Sequence, residues 1–173
     1  MLKRIDEETD DKIYELILNG LLKIIIMLIY KENYAAANSI INELKNKLTK
    51  GEKNAELAFK IRFIKSALKK ICDPKIFESI ISAYGKKIID KIKSDILIIF
   101  KVLGEEALDA IIELLSWDAA KKDPFEAFMA KRSIATIISE TGGSGLKTLK
   151  IKLNDKNSSL FKYIIEVLVF LED

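Results

Sequence analysis

The first proline of this 173-residue chain is Pro74, and the second and last is Pro124. Seven glycines are the only other strong breakers of regular backbone. A β-rich chain needs turn residues about every 8 to 12 positions, and this sequence cannot supply them. What it supplies instead is long stretches with apolar residues three and four apart, the spacing of a helix with one buried side. The apolar residues are mostly Ile, Leu and Ala, and the charged ones mostly Lys and Glu. Isoleucine is only a moderate helix former, so packing must supply what propensity does not. The expectation is an all-α chain of about seven or eight helices.

The segments follow from their ends. A first helix starts at a cap on Thr9, with Asp10 and Asp11 at the positive end of the helix dipole, and runs to about Lys31. "KENY" makes a turn. A second helix spans about residues 34 to 48, with Ala37, Ile40, Ile41, Leu44 and Leu48 on one side. "TKGEKN" is the next break. A third helix spans roughly residues 53 to 71 through Leu57, Ala58, Ile61, Ile64, Leu68 and Ile71. "CDP" ends it, because the residue before Pro74 disfavours helix and proline suits the first turn of a new one.

Residues 13 to 30, "IYELILNGLLKIIIMLIY", have the length of a membrane span. Asp11, Glu15, Asn19 and Lys23 recur every four residues, however, and draw a polar seam along the helix. Placing those charges at hydrocarbon depth costs roughly 2 to 3 kcal/mol each. The expectation is a helix buried on most of its circumference, and no membrane as partner. The opening "MLKRIDEETDD" does not read as a signal peptide, since acids stand where an apolar core is needed.

The second half repeats itself. "YGKKIIDKI" at Gly85, "LGEEALDAI" at Gly104 and "TGGSGLKTL" at Gly142 align on their glycines, each preceded and followed by an amphipathic stretch. Helix, glycine break, helix is the unit of an array that buries its apolar side by stacking on its neighbours. The spacings of 19 and 38 residues are unequal, which suggests that Gly85 opens one long helix over residues 86 to 103.

Residues 74 to 173 resemble HEAT repeats, with "IATIISETGGSGLKTLKIKL" the best match. That resemblance implies antiparallel helix pairs stacked into a right-handed solenoid. Ile134, Ile137, Ile138, Leu146, Leu149 and Leu153 would stand at its core positions. Residues 13 to 48 are similar to a tetratricopeptide hairpin, with Tyr34 and Ala37 where that motif has an aromatic and a small residue. The chain is expected to be one helical-repeat domain over 1–173, with a hairpin over 1–50 and HEAT-like pairs over 51–173. Such motifs tell of fold more than of function.

The missing residue types exclude much chemistry. There is no histidine, no glutamine, and one cysteine, Cys72. Without histidine there is no His-based general base, no Ser-His or Cys-His pair, and no zinc site of the usual kind. A lone cysteine forms no internal disulfide, so a reducing cytoplasm suits the chain. Cys72 reads as a small buried apolar residue. "TGGSGLKTLK", residues 141 to 150, looks like a phosphate-binding loop but lacks a preceding strand. Leu146 also separates Gly145 from Lys147 and turns the lysine by about 100°. These glycines are expected to end one helix and admit the next. Glu105, Asp109 and Glu113 make an acidic ridge, which a first-turn preference and a solvated side account for. Among HEAT-like proteins one family of DNA glycosylases uses a carboxylate and aromatics. Trp117 and Asp118 are neighbours here, but no basic motif surrounds them, and no catalytic role is carried over. No enzyme, cofactor or metal is expected.

Charge is uneven. Residues 51–93 hold 11 basic and 5 acidic side chains, residues 94–142 hold 5 and 9. Arg62, Lys65 and Lys69 share one side of the third helix, and Lys87 and Lys91 would extend the patch if the next helices stack alongside. At the C-terminus, "SSLFKYIIEVLVFLED" carries a core stripe of Leu160, Ile164, Val167, Leu168 and Leu171, and is apolar over more than half its circumference. Phe161, Tyr163 or Phe170 is expected to leave an exposed apolar patch for self-association or for a partner. The function expected is therefore a non-enzymatic scaffold or adaptor that binds another protein. The alternative is a nucleic-acid-binding module using the basic middle, although lysine outnumbers arginine there and arginine is the better reader of phosphates.

Overall fold

The computed structural model describes residues 5, 8–51, 57–86, 90–117, 124–141, 147, 150–151, 154 and 161–172. The chain is all-α, as the spacing predicts, with no strand among the described residues. Eight helices are described: α1 (Asp11–Tyr30), α2 (Tyr34–Gly51), α3 (Ala58–Ile71), α4 (Pro74–Lys86), α5 (Asp90–Leu103), α6 (Glu105–Trp117), α7 (Pro124–Glu140) and α8 (Phe161–Glu172). They divide into two compact units, residues 1–71 and 72–173. The division falls after α3, so the helix that the sequence groups with the C-terminal pairs belongs with the N-terminal hairpin.

In unit 1 each of the three helices packs on the other two. Asp10, not Thr9, caps α1: its Oδ1 accepts from the backbone N–H of Lys12 at 2.9 Å and of Ile13 at 3.1 Å. At the other end Glu32 takes φ 57°. The Asn33 N–H then reaches back to the Leu28 carbonyl at 2.9 Å, which closes the helix in a Schellman turn. Asn33 in turn accepts from the Ala36 N–H and starts α2. Three residues thus reverse the chain, and the tight turn commits α1 and α2 to lie antiparallel. The core they build with α3 includes Tyr14, Leu18, Ile25, Ile29, Tyr34, Ile41, Leu44 and Ile64. The Tyr14 ring meets Phe59 edge-on at 5.6 Å and Phe63 at 6.3 Å, an arrangement the ring quadrupoles favour.

One expectation about α1 fails. Only a third of its most apolar window is buried. Tyr14, Leu18, Leu21, Leu22, Ile25 and Ile29 face the core. The opposite side is also apolar and stands in water. A three-helix bundle can cover only one side of each member, so the second apolar side has no neighbour within it.

In unit 2, Asp73 caps α4 through the Lys75 N–H at 2.9 Å, and Pro74 occupies its first turn. α4 packs on α5, α6 and α7, and α8 packs on α7 and α6. A linear stack of pairs would confine each helix to its neighbours in the row. Here α6 and α7 each pack on every other helix of the unit, and α4 packs on three of them. Its Phe77 is fully buried, with its ring 5.2 Å from that of Phe100 on α5. Ile99, Ile111, Ile112, Ile137, Ile138 and Ile164 complete a dry interior.

The three glycine breaks differ. Gly104 behaves as expected. It takes φ 72°, its N–H closes α5 on the Phe100 carbonyl at 2.9 Å, and its own carbonyl opens α6 by accepting from Ala107 and Leu108. Gly85 does not open a helix. It lies inside the last turn of α4, where a Cβ would stand 3.0 Å from Ser133 Oγ on α7. Gly85 marks a close helix–helix approach, and α5 is described from Asp90. The third break follows α7, which ends at Glu140 with the Thr141 N–H on the Ile137 carbonyl. Residues 142–146, and with them Leu146, Leu149 and Leu153 of the expected repeat core, lie outside the described residues.

Candidate interaction surfaces

The basic residues of the middle segment are brought together only in part. Arg62, Lys65 and Lys69 stand on one exposed ridge of α3. Their spacing of three and four residues puts them one above another. α3 carries five cations, Lys60, Arg62, Lys65, Lys69 and Lys70, and no acid. The Arg62 guanidinium lies 5.1 Å over the Phe63 ring, and Lys70 reaches Asn19 Oδ1 of α1 at 3.5 Å. Lys91 is exposed on α5, in unit 2, so the five-residue surface is not a feature of either unit. Lys87 lies outside the described residues.

Sequence reasoning missed the cleft in unit 1. It encloses about 460 Å³ between the end of α2 and the start of α3, with Tyr14 of α1 at one wall. Ile61, Ile64 and Leu57 make its apolar part, and Lys47, Lys50 and Lys60 its basic part. Lys47 pairs with Glu43 at 3.4 Å. Lys60 is held in place twice, 5.4 Å over the Tyr14 ring and 3.4 Å from the Ile5 carbonyl. Gly51 sits in this wall because Ile61 is close: a Cβ there would lie 3.1 Å from its Cγ1. The one signal in the sequence is Gly51 itself, which reads equally as a helix break. No group of three or more Cys, Asp or Glu side chains able to hold a metal is present among the described residues.

α8 uses one side for the core and shows the other to water. Ile164 and Val167 are fully buried. Phe161 is half-buried, Ile165 is 43% exposed and Val169 is 57% exposed. These three are four residues apart and form an apolar ridge. Lys131 of α7 holds Glu166 beside it in an ion pair. The sequence alone puts the patch on Phe161, Tyr163 or Phe170. Phe161 is on the ridge, and the side chains of Tyr163 and Phe170 lie outside the described residues. Ile165 escapes notice in the sequence because it follows a core isoleucine, and a run of apolar residues hides which of two neighbours faces in.

The acidic ridge of α6 is a surface feature. Glu105 pairs with Lys147 at 3.0 Å, both well exposed, so the contact is worth little to stability. It also places the lysine of the glycine-rich stretch against a carboxylate. The side chain of Trp117 and all of Asp118 lie outside the described residues.

Two buried phenols have their ionisation displaced. Burial, with the Glu32 charge adding to it, pushes Tyr34 up to about 12. Burial and then the Glu140 charge push Tyr84 above the ordinary tyrosine value. The Tyr34 hydroxyl, fully enclosed, finds no hydrogen-bond partner among the described residues. Both groups are neutral at pH 7 and lie in the buried core. Comparison with protein-family models, with characterised proteins and with solved structures finds no match for this chain.

Proposed function

We propose that the chain is a non-enzymatic helical adaptor that binds another protein through the outer ridge of α8. The observation that carries this reading is the exposure of Ile165 and Val169 on a helix whose opposite side is already committed to the core. An apolar ridge in water costs solubility, and such surfaces mark interaction sites. The neighbouring Lys131–Glu166 pair gives the ridge the polar margin that interfaces have. The helix–glycine–helix passage at Gly104 supports kinship with HEAT-like pairs, whose role is to present helical rows to partners. The cytoplasm is the natural place for such a chain with one buried cysteine. Partner or second copy, the ridge should act through the same residues.

The test is capture from the native source with parent and with the double variant Ile165→Glu/Val169→Glu. A protein retained by the parent and lost in the variant, while the thermal melt is unchanged, is the expected result. Light scattering of both proteins covers self-association. Identical captures and identical masses for parent and variant contradict the reading.

A second reading has its own observation, the five cations and no acid on α3. It is a nucleic-acid interaction through Arg62, Lys65 and Lys69. Removing one phosphate-binding cation would then flatten the logarithmic salt slope by about 0.9. Anisotropy titrations at two salt concentrations, with the three residues reversed to Glu, decide it. Submicromolar binding that survives physiological salt in the parent alone favours this reading over the first.

A further inference from the structure

We propose that the outer side of α1 is a docking surface for an anionic lipid bilayer, with the helix lying along the membrane plane and not crossing it. Four large apolar side chains of this one helix stand in water: Ile13 at 47% exposure, Leu16 at 70%, Met27 at 46% and Tyr30 at 54%. At about 100° per residue, Ile13, Leu16 and Met27 fall within a single arc of about 60°, and Tyr30 borders it. This arc lies opposite Leu18, Ile25 and Ile29, which are buried in the bundle. The helix is apolar enough by composition to span a membrane, with a mean hydropathy of 1.9, yet only a third of that window is buried. Spanning is ruled out by the core contacts that the other side makes with α2 and α3. A helix with one apolar side free and the other anchored to a folded domain lies in the interface instead.

The rim of the arc names the occupant. Lys12, Lys23 and Lys31 are all exposed, and each stands one helical turn from an exposed apolar residue: Lys12 from Leu16, and Lys23 and Lys31 from Met27. Long lysine stems lie along apolar surface while the ammonium reaches for phosphate. Lys70 of α3 comes to the same flank through Asn19. The acids of α1 are elsewhere. Glu15 is turned about 100° from Leu16, and Asp11 about 140°. Lysines near an anionic leaflet strengthen binding by about fivefold each. A second copy fits less well. Antiparallel pairing about a two-fold axis sets the same flank of both copies side by side, which brings the lysine rims together. A partner helix wants a groove, whereas this surface is the crest of a single helix. The inference departs from the sequence-based expectation of no membrane partner, and it stands independently of the α8 reading.

The experiment is co-sedimentation of the full chain with phosphatidylcholine vesicles, with and without phosphatidylserine, at low and physiological salt. Binding is expected on the anionic vesicles, at least tenfold weaker on the neutral ones. It should be abolished in Leu16→Glu/Met27→Glu and reduced several-fold in Lys12→Glu/Lys23→Glu. All four residues are exposed to solvent, so the helical melt of each variant serves as the control for folding. Absence of binding to anionic vesicles overturns the proposal, as does binding that Leu16→Glu/Met27→Glu leaves intact. So does a dimer, seen by light scattering without vesicle binding, that the same pair dissociates; that result assigns the surface to a second copy.

Discussion

The two units solve one problem differently. Unit 1 has three helices that each touch the other two, and unit 2 gathers its helices around α6 and α7. Three helices cover one side of each member, and α1, being apolar on two sides, is left with one of them wet. In unit 2, α4 packs on three helices and buries Ile76, Phe77, Ile80, Ile81, Ala83 and Tyr84 along an arc of about 160°. The wet apolar ridge moves out to α8, which has only α6 and α7 as principal neighbours. The surplus of apolar surface therefore appears wherever a helix has fewer neighbours than apolar sides. The charges divide as well: α3 is purely basic, while α6 opens on Glu105 and Glu106.

Because α4 packs on three neighbours in unit 2, removing its central buried side chain should be the costliest change. Phe77 is fully buried against Phe100, so Phe77→Ala is expected to cost about 3 to 5 kcal/mol. Native-state hydrogen exchange is the measurement. Protection should fall more over residues 72–173 than over residues 1–71. An equal fall in both would break the comparison by making the two units one cooperative block.

A smaller effect tests how closely α4 and α7 approach. Gly85→Ala places a methyl 3.0 Å from Ser133 Oγ. That hydroxyl is buried and already held by the Met129 carbonyl at 2.9 Å, so it cannot retreat easily. The substitution should cost about 1 kcal/mol in urea denaturation, despite the better helix propensity of alanine. Adding Ser133→Ala should recover most of the loss. A purely additive double variant would show that the two residues do not touch.

An effect of similar size and opposite sign belongs to unit 1. Tyr34→Phe removes a buried hydroxyl without a described partner, and a gain of about 1 kcal/mol is expected. The pH dependence gives the sign. The unfolded phenol ionises near its ordinary value of 10.0, whereas the folded one is held neutral to about 12. Stability from this group is complete below the unfolded value and falls as pH rises through that window. Comparing parent and Tyr34→Phe melts there should show a steeper alkaline loss in the parent. Parallel curves would mean that Tyr34 is not enclosed.

Much of the fold is legible in the sequence. Pro74, Asp73 and the run from Ile76 to Tyr84 announce α4, and "KENY" announces the turn before α2. Gly104 reads correctly because a left-handed residue between two amphipathic runs has few other uses. Gly85 misleads because a glycine needed for space and a glycine needed for a turn look alike in one dimension. The docking ridges are harder. "IIIML" is apolar at every position and "IIEVLV" at every position but Glu166, and only the count of neighbouring helices decides which side stays wet. The α3 ridge is half legible: Arg62, Lys65 and Lys69 follow from helical spacing, while joining them to Lys91 requires a stacking that the division into units does not provide.

The central claim is that α8 keeps one apolar side in the core and one in water, and two neighbouring isoleucines test it. Ile164 is fully buried and Ile165 is 43% exposed. Ile164→Glu and Ile165→Glu should be made separately and followed by thermal melting with circular dichroism. A carboxylate at 164 enters a dry interior, so a loss of several kcal/mol and collapse of the cooperative melt are expected. At 165 the change should fall within about 0.5 kcal/mol of the parent. Equal loss at both positions, or the larger loss at 165, would contradict the account.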